Sequence, residues 1–165
     1  MNILVLGIGN ILLQDEGIGV RVVEDLEKQY TLPEGVEVVD GGTSGMDLLD
    51  TVLDRDHLIV VDAVHTGDPP GTLVKLQGDE VPVFFRSKIS PHQLGLSDLL
   101  ANVTLMEALP ARMTLIGVVP QSMETGIELT ELLETRRPDL LAMVLEALNE
   151  SGVELWSRGR NGTTG

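Results

Sequence analysis

The sequence predicts an α/β fold with three layers, in which helices cover both faces of a twisted, mostly parallel five-stranded sheet. Short and almost wholly apolar runs occur at residues 3–7 and 58–61, as expected of strands that are buried on both faces. Segments with apolar residues at helical spacing alternate with such runs along the chain. The chain has 165 residues, of which 42% are hydrophobic, which is enough for one domain with a sizeable core.

The first part of the chain alternates regularly between strand and helix. After the first strand, residues 16–29 form a helix because their apolar residues recur at intervals of three and four. Residues 36–39 form the second strand, and residues 44–54 form a second helix that a serine can cap. Residues 58–61 form the third strand. This order is typical of strand–helix–strand units with parallel strands.

The middle of the chain departs from this alternation. A turn rich in Gly and Pro at residues 66–71 separates the third strand from a fourth at residues 72–76. This connection is too short for a helical crossover, so we expect strands three and four to pair antiparallel. Residues 94–109 form a helix that ends before Pro110, and residues 113–118 form the fifth strand.

The C-terminal part is helical and then polar. Residues 127–136 and 138–149 are predicted as two helices, with Pro138 in the first turn of the second one. We expect residues 1–156 to form a single domain. Residues 157–165 are polar and rich in glycine, which predicts a flexible tail.

Charge and composition exclude several classes of function. The chain has 11 basic and 26 acidic residues and a net charge of −15, which disfavours nucleic acid and anionic membrane as partners. There are no cysteines, so disulfides, a thiol nucleophile and cysteine metal ligands are excluded. The N-terminus shows neither a signal peptide nor a transmembrane segment, so we expect a cytoplasmic protein without membrane insertion.

Four side chains with useful chemistry follow the predicted strands, at the ends where ligands bind in such folds. Glu16 follows the first strand, Asp40 the second and Asp62 the third, and His92 lies in the loop after the fourth. Two carboxylates and one imidazole suit a divalent metal such as zinc or nickel, and three protein ligands leave a position open for water or substrate. Such a metal would activate the water or polarise a carbonyl group.

Each of these residues also has a purely structural interpretation, and only their convergence favours function. The helix dipole favours an acid such as Glu16 at a helix start, Asp62 can form a turn, and His92 can be an ordinary loop residue. His65 follows Asp62 by three positions and is a weaker candidate, as a fourth or substitute ligand. His57 precedes the third strand and is expected on the opposite rim.

Two competing motifs are incomplete. Residues 7–12 begin like the glycine-rich fingerprint of dinucleotide-binding proteins, but Leu12 stands in the place of the third glycine. The order Ser44, Asp62, His92 would suit a serine hydrolase, but the final glycine of the nucleophile elbow is missing. Neither motif is therefore a basis for assigning a function.

Read together, six blocks of the sequence resemble those of the nickel–iron hydrogenase maturation endopeptidases. The blocks are Gly7-Ile8-Gly9-Asn10, Asp15-Glu16-Gly17-Ile18-Gly19, Asp40-Gly41-Gly42-Thr43-Ser44-Gly45, Val60-Val61-Asp62-Ala63, Ser90-Pro91-His92-Gln93-Leu94-Gly95-Leu96 and Ile116-Gly117-Val118-Val119-Pro120. They occur in the family's order and cover roughly residues 3–150. One block alone would be weak, but together they are specific.

The resemblance implies a metal-dependent endopeptidase. Its substrate would be the nickel-loaded precursor of a nickel–iron hydrogenase large subunit, from which it would remove a C-terminal extension. Glu16, Asp62 and His92 would bind the metal, and Asp40 and Asp62 would be the catalytic carboxylates. Three mechanisms remain open: nickel presented by the substrate, with zinc or cadmium as a possible surrogate; a resident zinc-like ion; and Asp40 as general base. A nucleotide-binding module and a non-catalytic maturation chaperone remain as alternative functions.

The long segment at residues 78–93 is predicted to be irregular, and loops of this length are usually functional or mobile. It carries Phe84 and Phe85 beside Arg86, a basic and aromatic spot in an acidic chain, and it leads to His92. Either the two phenylalanines pin the loop to the core, or the loop grips the substrate and moves when the substrate binds.

Overall fold

A computed structural model describes residues 1–42, 55–81 and 110–158 of the chain. The strands are β1 (Ile3–Ile8), β2 (Tyr30–Thr31), β3 (Val36–Gly42), β4 (His57–Ala63), β5 (Leu73–Gln77), β6 (Arg112–Val118) and β7 (Trp156–Ser157). A short 3-10 helix (Gln14–Gly17) leads into helix α1 (Ile18–Gln29), and the C-terminal part holds helix α2 (Glu131–Glu150).

The longer strands form one sheet of five in the order β3-β1-β4-β6-β5, and β2 and β7 form a separate two-stranded ribbon. Strands β3, β1, β4 and β6 run parallel, and β5 runs antiparallel to β6. This topology confirms the predicted α/β class, with a mostly parallel five-stranded sheet and one antiparallel strand.

The antiparallel strand pairs with a different neighbour from the one expected. β5 lies along β6, with Leu73 opposite Val118, and β6 fills the place between β4 and β5. The short turn after β4 does reverse the chain direction, as predicted. However, β6 is buried along almost its whole length, whereas β5 is only half-buried. Burying the apolar side chains of β6 in the inner position stabilises the fold more, and the less apolar β5 is suited to the edge.

Both faces of the sheet are buried, by alternate residues of each strand. Ile3 and Val5 of β1 belong to the cluster in which α1 and α2 pack on the sheet. Leu4 and Leu6 point to the opposite face, where they join apolar residues of β4 and β6. This two-sided burial is what a three-layer arrangement requires.

One continuous helix, α2, replaces the two helices expected over residues 127–136 and 138–149. It begins after Thr130, whose side chain accepts a hydrogen bond from the third backbone N–H of the helix. Pro138 lies inside the helix and has no N–H to donate to the carbonyl of Glu134. Both residues are exposed. The helix continues because the buried residues on both sides of Pro138 stay packed on the sheet.

The ribbon of β2 and β7 ties the C-terminal segment to the end of α1. Ser157 pairs with Tyr30, and Arg158 Nε donates a hydrogen bond to the carbonyl oxygen of Tyr30 at 2.7 Å. The flexible tail expected from Ser157 onward is therefore anchored at its first two residues, because backbone pairing outweighs the polar composition. Residues 159–165 lie outside the described part of the chain.

Some expectations fall on residues that the structure does not describe. The helices predicted at 44–54 and 94–109 lie there, as does most of the irregular segment at 78–93. In the described ranges, no helix has the length and apolarity needed to cross a lipid bilayer.

Candidate active site

The candidate site lies where the chain reverses its path across the sheet. From β1 the chain passes to β3 on one side, and from β3 it returns to β4 on the other side of β1. Residues that follow β1 and residues that close β4 therefore meet at the carboxyl ends of two neighbouring strands. Open parallel sheets bind their ligands in the crevice at this point.

Glycines allow the backbone to close tightly around this crevice. A Cβ atom on Gly9 would lie 1.8 Å from the carbonyl oxygen of Glu16, and one on Gly19 would lie 2.1 Å from that of Val61. Gly9 also has a φ of 135°, which L side chains rarely adopt. The turn that carries Glu16 consequently lies directly against the end of β1, and the first turn of α1 lies against β4.

Close packing also explains why glycine occurs at the start of the segment that resembles a dinucleotide fingerprint. A Cβ atom on Gly7 would lie 2.6 Å from the carbonyl oxygen of Gly19 and 2.7 Å from a methyl carbon of Val23. In a nucleotide-binding loop, the space beside the glycines admits the pyrophosphate, which rests on a helix N-terminus. Here α1 occupies the space beside Gly7, with the backbone of Gly19 and the side chain of Val23, so this glycine serves packing between α1 and the sheet.

Glu16 is buried, and its carboxylate meets an imidazole. Its Oε1 lies 3.0 Å from Nε2 of His65, and the side chains of Glu16 and His65 are 5% and 32% exposed. The pair therefore lies at the border between the interior and solvent. It supplies one oxygen and one nitrogen donor, which are donor types that zinc and nickel accept. His65, the weaker candidate from the sequence, thus contacts one of the proposed metal ligands.

Asp62 is the last residue but one of β4 and is fully buried. Its Oδ1 accepts a hydrogen bond from the backbone N–H of Ala63 at 2.8 Å. Its backbone pairs with Gly117 of β6, so the carboxylate is fixed at the carboxyl end of the central strand. Burial strengthens every electrostatic interaction that this carboxylate makes.

Asp40 lies inside β3, although the sequence suggested a place just after the second strand. The strand continues to Gly42, with an irregular step where it passes Gly7 and Ile8 of β1. Asp40 is exposed, and its Oδ1 accepts a hydrogen bond from the N–H of Gly42 at 2.9 Å. It lines an open cleft, together with Gly9, Asn10, Ile11, Leu12, Val20 and Gly42. Asp40 can therefore be reached from solvent, whereas Asp62 is covered.

The expected contacts of His92 stay a prediction, because residues 82–109 lie outside the described part of the chain. Ser44 also lies outside it, so the serine hydrolase order is equally untested. Within the described ranges, no three His, Asp or Glu side chains are close enough to hold a metal ion. A site made by Glu16 and Asp62 would therefore need a further residue such as His92.

His57 lies on the opposite rim, as expected, and has a structural environment. It begins β4, is fully buried, and its ring nitrogens lie 2.7 Å from Ser151 Oγ and 2.8 Å from Thr114 Oγ1. Burial, and then the positive charge of Arg112, lower the pKa of His57 from 6.5 to about 4. The neutral imidazole is thus part of the core.

Asp15 has a role that the sequence analysis missed. It is fully buried, and its Oδ2 accepts hydrogen bonds from the N–H groups of Gln121 and Ser122 at 2.9 and 3.0 Å. Its Oδ1 accepts one from the N–H of Thr130 at 2.9 Å. Asp15 therefore fixes the loop between β6 and α2 beside the turn that carries Glu16. The sequence shows only two adjacent acids, with no sign that the first of them binds the backbone of a distant loop.

Sequence comparisons identify relatives along most of the chain. The family model described as "HycI: Hydrogenase maturation protease" matches residues 20–147. The chain is 54% identical over 155 residues to the hydrogenase 2 maturation protease of Escherichia coli (strain K12), which covers 93% of this chain and 94% of the relative. It is 47% identical over 154 residues to the hydrogenase expression/formation protein HoxM of Azotobacter vinelandii, over 92% of this chain and 74% of the relative.

Solved structures of related proteins have the same fold. The hydrogenase maturating endopeptidase HybD from E. coli matches with a TM-score of 0.93 and 52% identity, over 96% of this chain and 99% of that one. The [NiFe] hydrogenase maturation protease HybD from Thermococcus kodakarensis matches with a TM-score of 0.74 and 25% identity, over 89% and 99% of the two chains. Because the family model and these relatives match most of its length, this chain belongs to the hydrogenase maturation protease family.

Proposed function

We propose that this chain removes the C-terminal extension from the nickel-loaded precursor of a nickel–iron hydrogenase large subunit, in the cytoplasm. Membership of the family gives the class of reaction, which is peptide-bond cleavage during hydrogenase maturation. The observation that carries the finer proposal is the surroundings of Glu16. Its buried carboxylate lies against an imidazole, on a turn that contacts β4, the strand that carries Asp62.

In this proposal, nickel is part of the substrate and is recognised by Glu16, Asp62 and His92. Two carboxylates and one imidazole are donors that nickel accepts, and zinc or cadmium could replace it. Support comes from the contact between the 3-10 turn that carries Glu16 and β4, whose last residue but one is Asp62. Holding the metal there would fix the precursor relative to the cleft, so that only a finished metal centre presents its tail for cleavage.

Asp40 is the candidate for proton transfer. A general base must come within hydrogen-bonding distance of the water that it deprotonates. Asp40 is exposed and lines the cleft, whereas Asp62 is fully buried. We therefore assign proton transfer to Asp40, and to Asp62 a fixed negative charge beside the metal. Two carboxylates in such different surroundings can take separate roles.

His65 has two possible parts in this site. It can orient Glu16 through the hydrogen bond between Nε2 and Oε1, or it can become a further ligand when the metal arrives. Both parts follow from the same 3.0 Å contact. They differ in the number of imidazoles bound to the metal, which a spectrum can count.

The proposal is tested by incubating the protein with nickel-loaded and with nickel-free precursor and measuring the intact masses of the products. We expect only the nickel-loaded precursor to lose its C-terminal extension. Shortening of both precursors would contradict recognition of nickel, and unchanged masses would contradict cleavage. Stable binding without shortening would identify a maturation chaperone instead.

A further inference from the structure

Two loops at the carboxyl rim of the sheet are joined edge to edge. The N–H of Gly126 donates a hydrogen bond to the carbonyl oxygen of Leu12 at 2.9 Å, and the N–H of Gln14 donates one to the carbonyl oxygen of Gly126 at 2.8 Å. Leu13 and Gly126 form a parallel bridge between the loops. The loop after β1 and the loop after β6 therefore present one continuous surface beside the crevice.

This junction is held from the inside by a buried carboxylate. Asp15 accepts hydrogen bonds from the N–H groups of Ser122 and Thr130, near the two ends of the second loop. Arg21 Nη2 donates a hydrogen bond to the carbonyl oxygen of Ile127 at 3.1 Å. Because the loop is fixed at several points, its shape exists before any partner binds, which lowers the entropic cost of binding.

The two fixed loops present large apolar side chains to solvent, among polar and acidic ones. Ile127 is 66% exposed, Leu12 is 57% exposed and Met123 is 46% exposed, and we call these three residues the apolar ridge. Apolar side chains that stay exposed to water contribute little to the stability of the fold. Large apolar residues gathered on rigid backbone beside a cleft are typical of a surface that binds another protein.

Position and charge together indicate what binds there. Leu12 also lines the cleft that holds Asp40, so the apolar ridge continues into the candidate active site. The exposed acids Glu124 and Glu128 flank it, in a chain of net charge −15. A second copy of this chain would bring these like charges together, whereas an apolar segment with basic flanks would be attracted.

We infer that the apolar ridge is the docking surface for an apolar segment, flanked by basic residues, of the hydrogenase large-subunit precursor. This inference rests on the proposed function, because it takes the precursor as the protein whose tail enters the cleft. Contacts on the ridge are remote from the bond that is cut. They hold the precursor equally before and during the reaction, so they lower KM and leave kcat unchanged.

The variants Ile127→Ser and Met123→Ser remove apolar contacts and leave the backbone junction intact. With nickel-loaded precursor, we expect KM to rise about tenfold or more and kcat to stay close to the wild-type value. The matched control is Trp156→Ser. Trp156 is 71% exposed, but it lies in the ribbon next to the end of α1, away from the crevice, so KM should not change.

Four further outcomes decide the inference. An unchanged KM in both ridge variants overturns it, and wild-type activity in the same assay keeps the proposed function. A lower melting temperature of the ridge variants would mean that the chain itself covers the ridge. If the wild type sediments as a dimer and the ridge variants as monomers, a second copy of the chain covers the ridge, which overturns the inference. If the wild type leaves the precursor uncut, a binding titration with the precursor still tests the ridge. Loss of precursor binding in Ile127→Ser but not in Trp156→Ser would support docking.

Discussion

Asp15 and Glu16 are adjacent acids that the fold uses for different purposes. Asp15 binds the backbone of the loop after β6, while Glu16 meets His65 at the crevice. The chain direction changes just before them, where Gln14 has a φ of 47°, an uncommon value for a residue other than glycine. Two neighbouring carboxylates thus serve structure and site respectively.

Replacement of Asp62 tests whether its charge is used in the reaction. Asp62→Asn keeps an oxygen that can accept the hydrogen bond from Ala63 but removes the negative charge. We expect a folded protein that no longer shortens the nickel-loaded precursor, measured by intact mass and by thermal melting. His92→Ala should have the same effect through the loss of a proposed metal ligand. An active His92→Ala beside an inactive His57→Ala would show that the wrong histidine was assigned.

His57 makes stability depend on pH. Its folded pKa of about 4 is below the unfolded value of 6.5, so the unfolded chain binds this proton more readily. The stabilisation from a neutral His57 is therefore complete above about pH 6.5 and is lost as the pH falls through about 4. At 1.36 kcal/mol per pKa unit, it is on the order of 3 kcal/mol.

Urea unfolding at pH 7 and at pH 4.5 measures this effect. The wild type should lose more free energy of unfolding between the two pH values than His57→Gln, which has no imidazole to protonate. The variant should be less stable at pH 7, because the hydroxyl groups of Thr114 and Ser151 lose their partner. An equal loss in both proteins would place the acid sensitivity elsewhere.

At the scale of the elements, the fit of the 3-10 turn against β1 depends on Gly9. Gly9→Ala would place a methyl group against the carbonyl of Glu16, whereas Gly67→Ala meets nothing within 4 Å. Both glycines have positive φ, so both variants carry a backbone conformational cost of about 1 kcal/mol or more. Only Gly9→Ala adds a close steric contact to that cost.

We expect Gly67→Ala to be fully active and less stable than the wild type by about 1 kcal/mol or more in urea unfolding. Gly9→Ala should lose about 4 kcal/mol or more, or should remain folded only with Glu16 displaced and cleavage lost. If both variants had the same stability and activity, the turn could not be packed against β1 as described.

At the scale of the whole molecule, composition limits the atoms that can bind a metal. The chain has no cysteine, so nickel or cadmium bound to the isolated protein should have nitrogen and oxygen ligands only. X-ray absorption measures this. One imidazole per metal would agree with His92 as the only histidine ligand, and two would show that His65 joins it. In that case His65→Leu should remove one imidazole, and a sulfur shell in the wild type would contradict the assignment.

The sequence by itself determined the strands and thereby the rim on which each acid lies. Strands with apolar side chains on both faces, such as β1 and β4, can bury all of them only in the middle of a sheet that is covered on both sides. Asp62 follows directly on such a run, so its place at the carboxyl end of β4 required no tertiary information. The glycine and acid blocks that resemble the family are local in the same sense, and the comparisons confirmed the family that they indicated.

Only the tertiary structure decided which distant segments meet. Asp15 binds backbone groups that lie between 106 and 115 positions further along the chain. One of them belongs to Thr130, which caps the start of α2. Strand β6 lies between β4 and β5, although it comes after both in the sequence. A local pattern reports whether a residue prefers the interior and which dihedral angles it favours. The choice of partner depends instead on differences among competing long-range contacts, each of only about 1 kcal/mol, and these are resolved only when the whole chain packs.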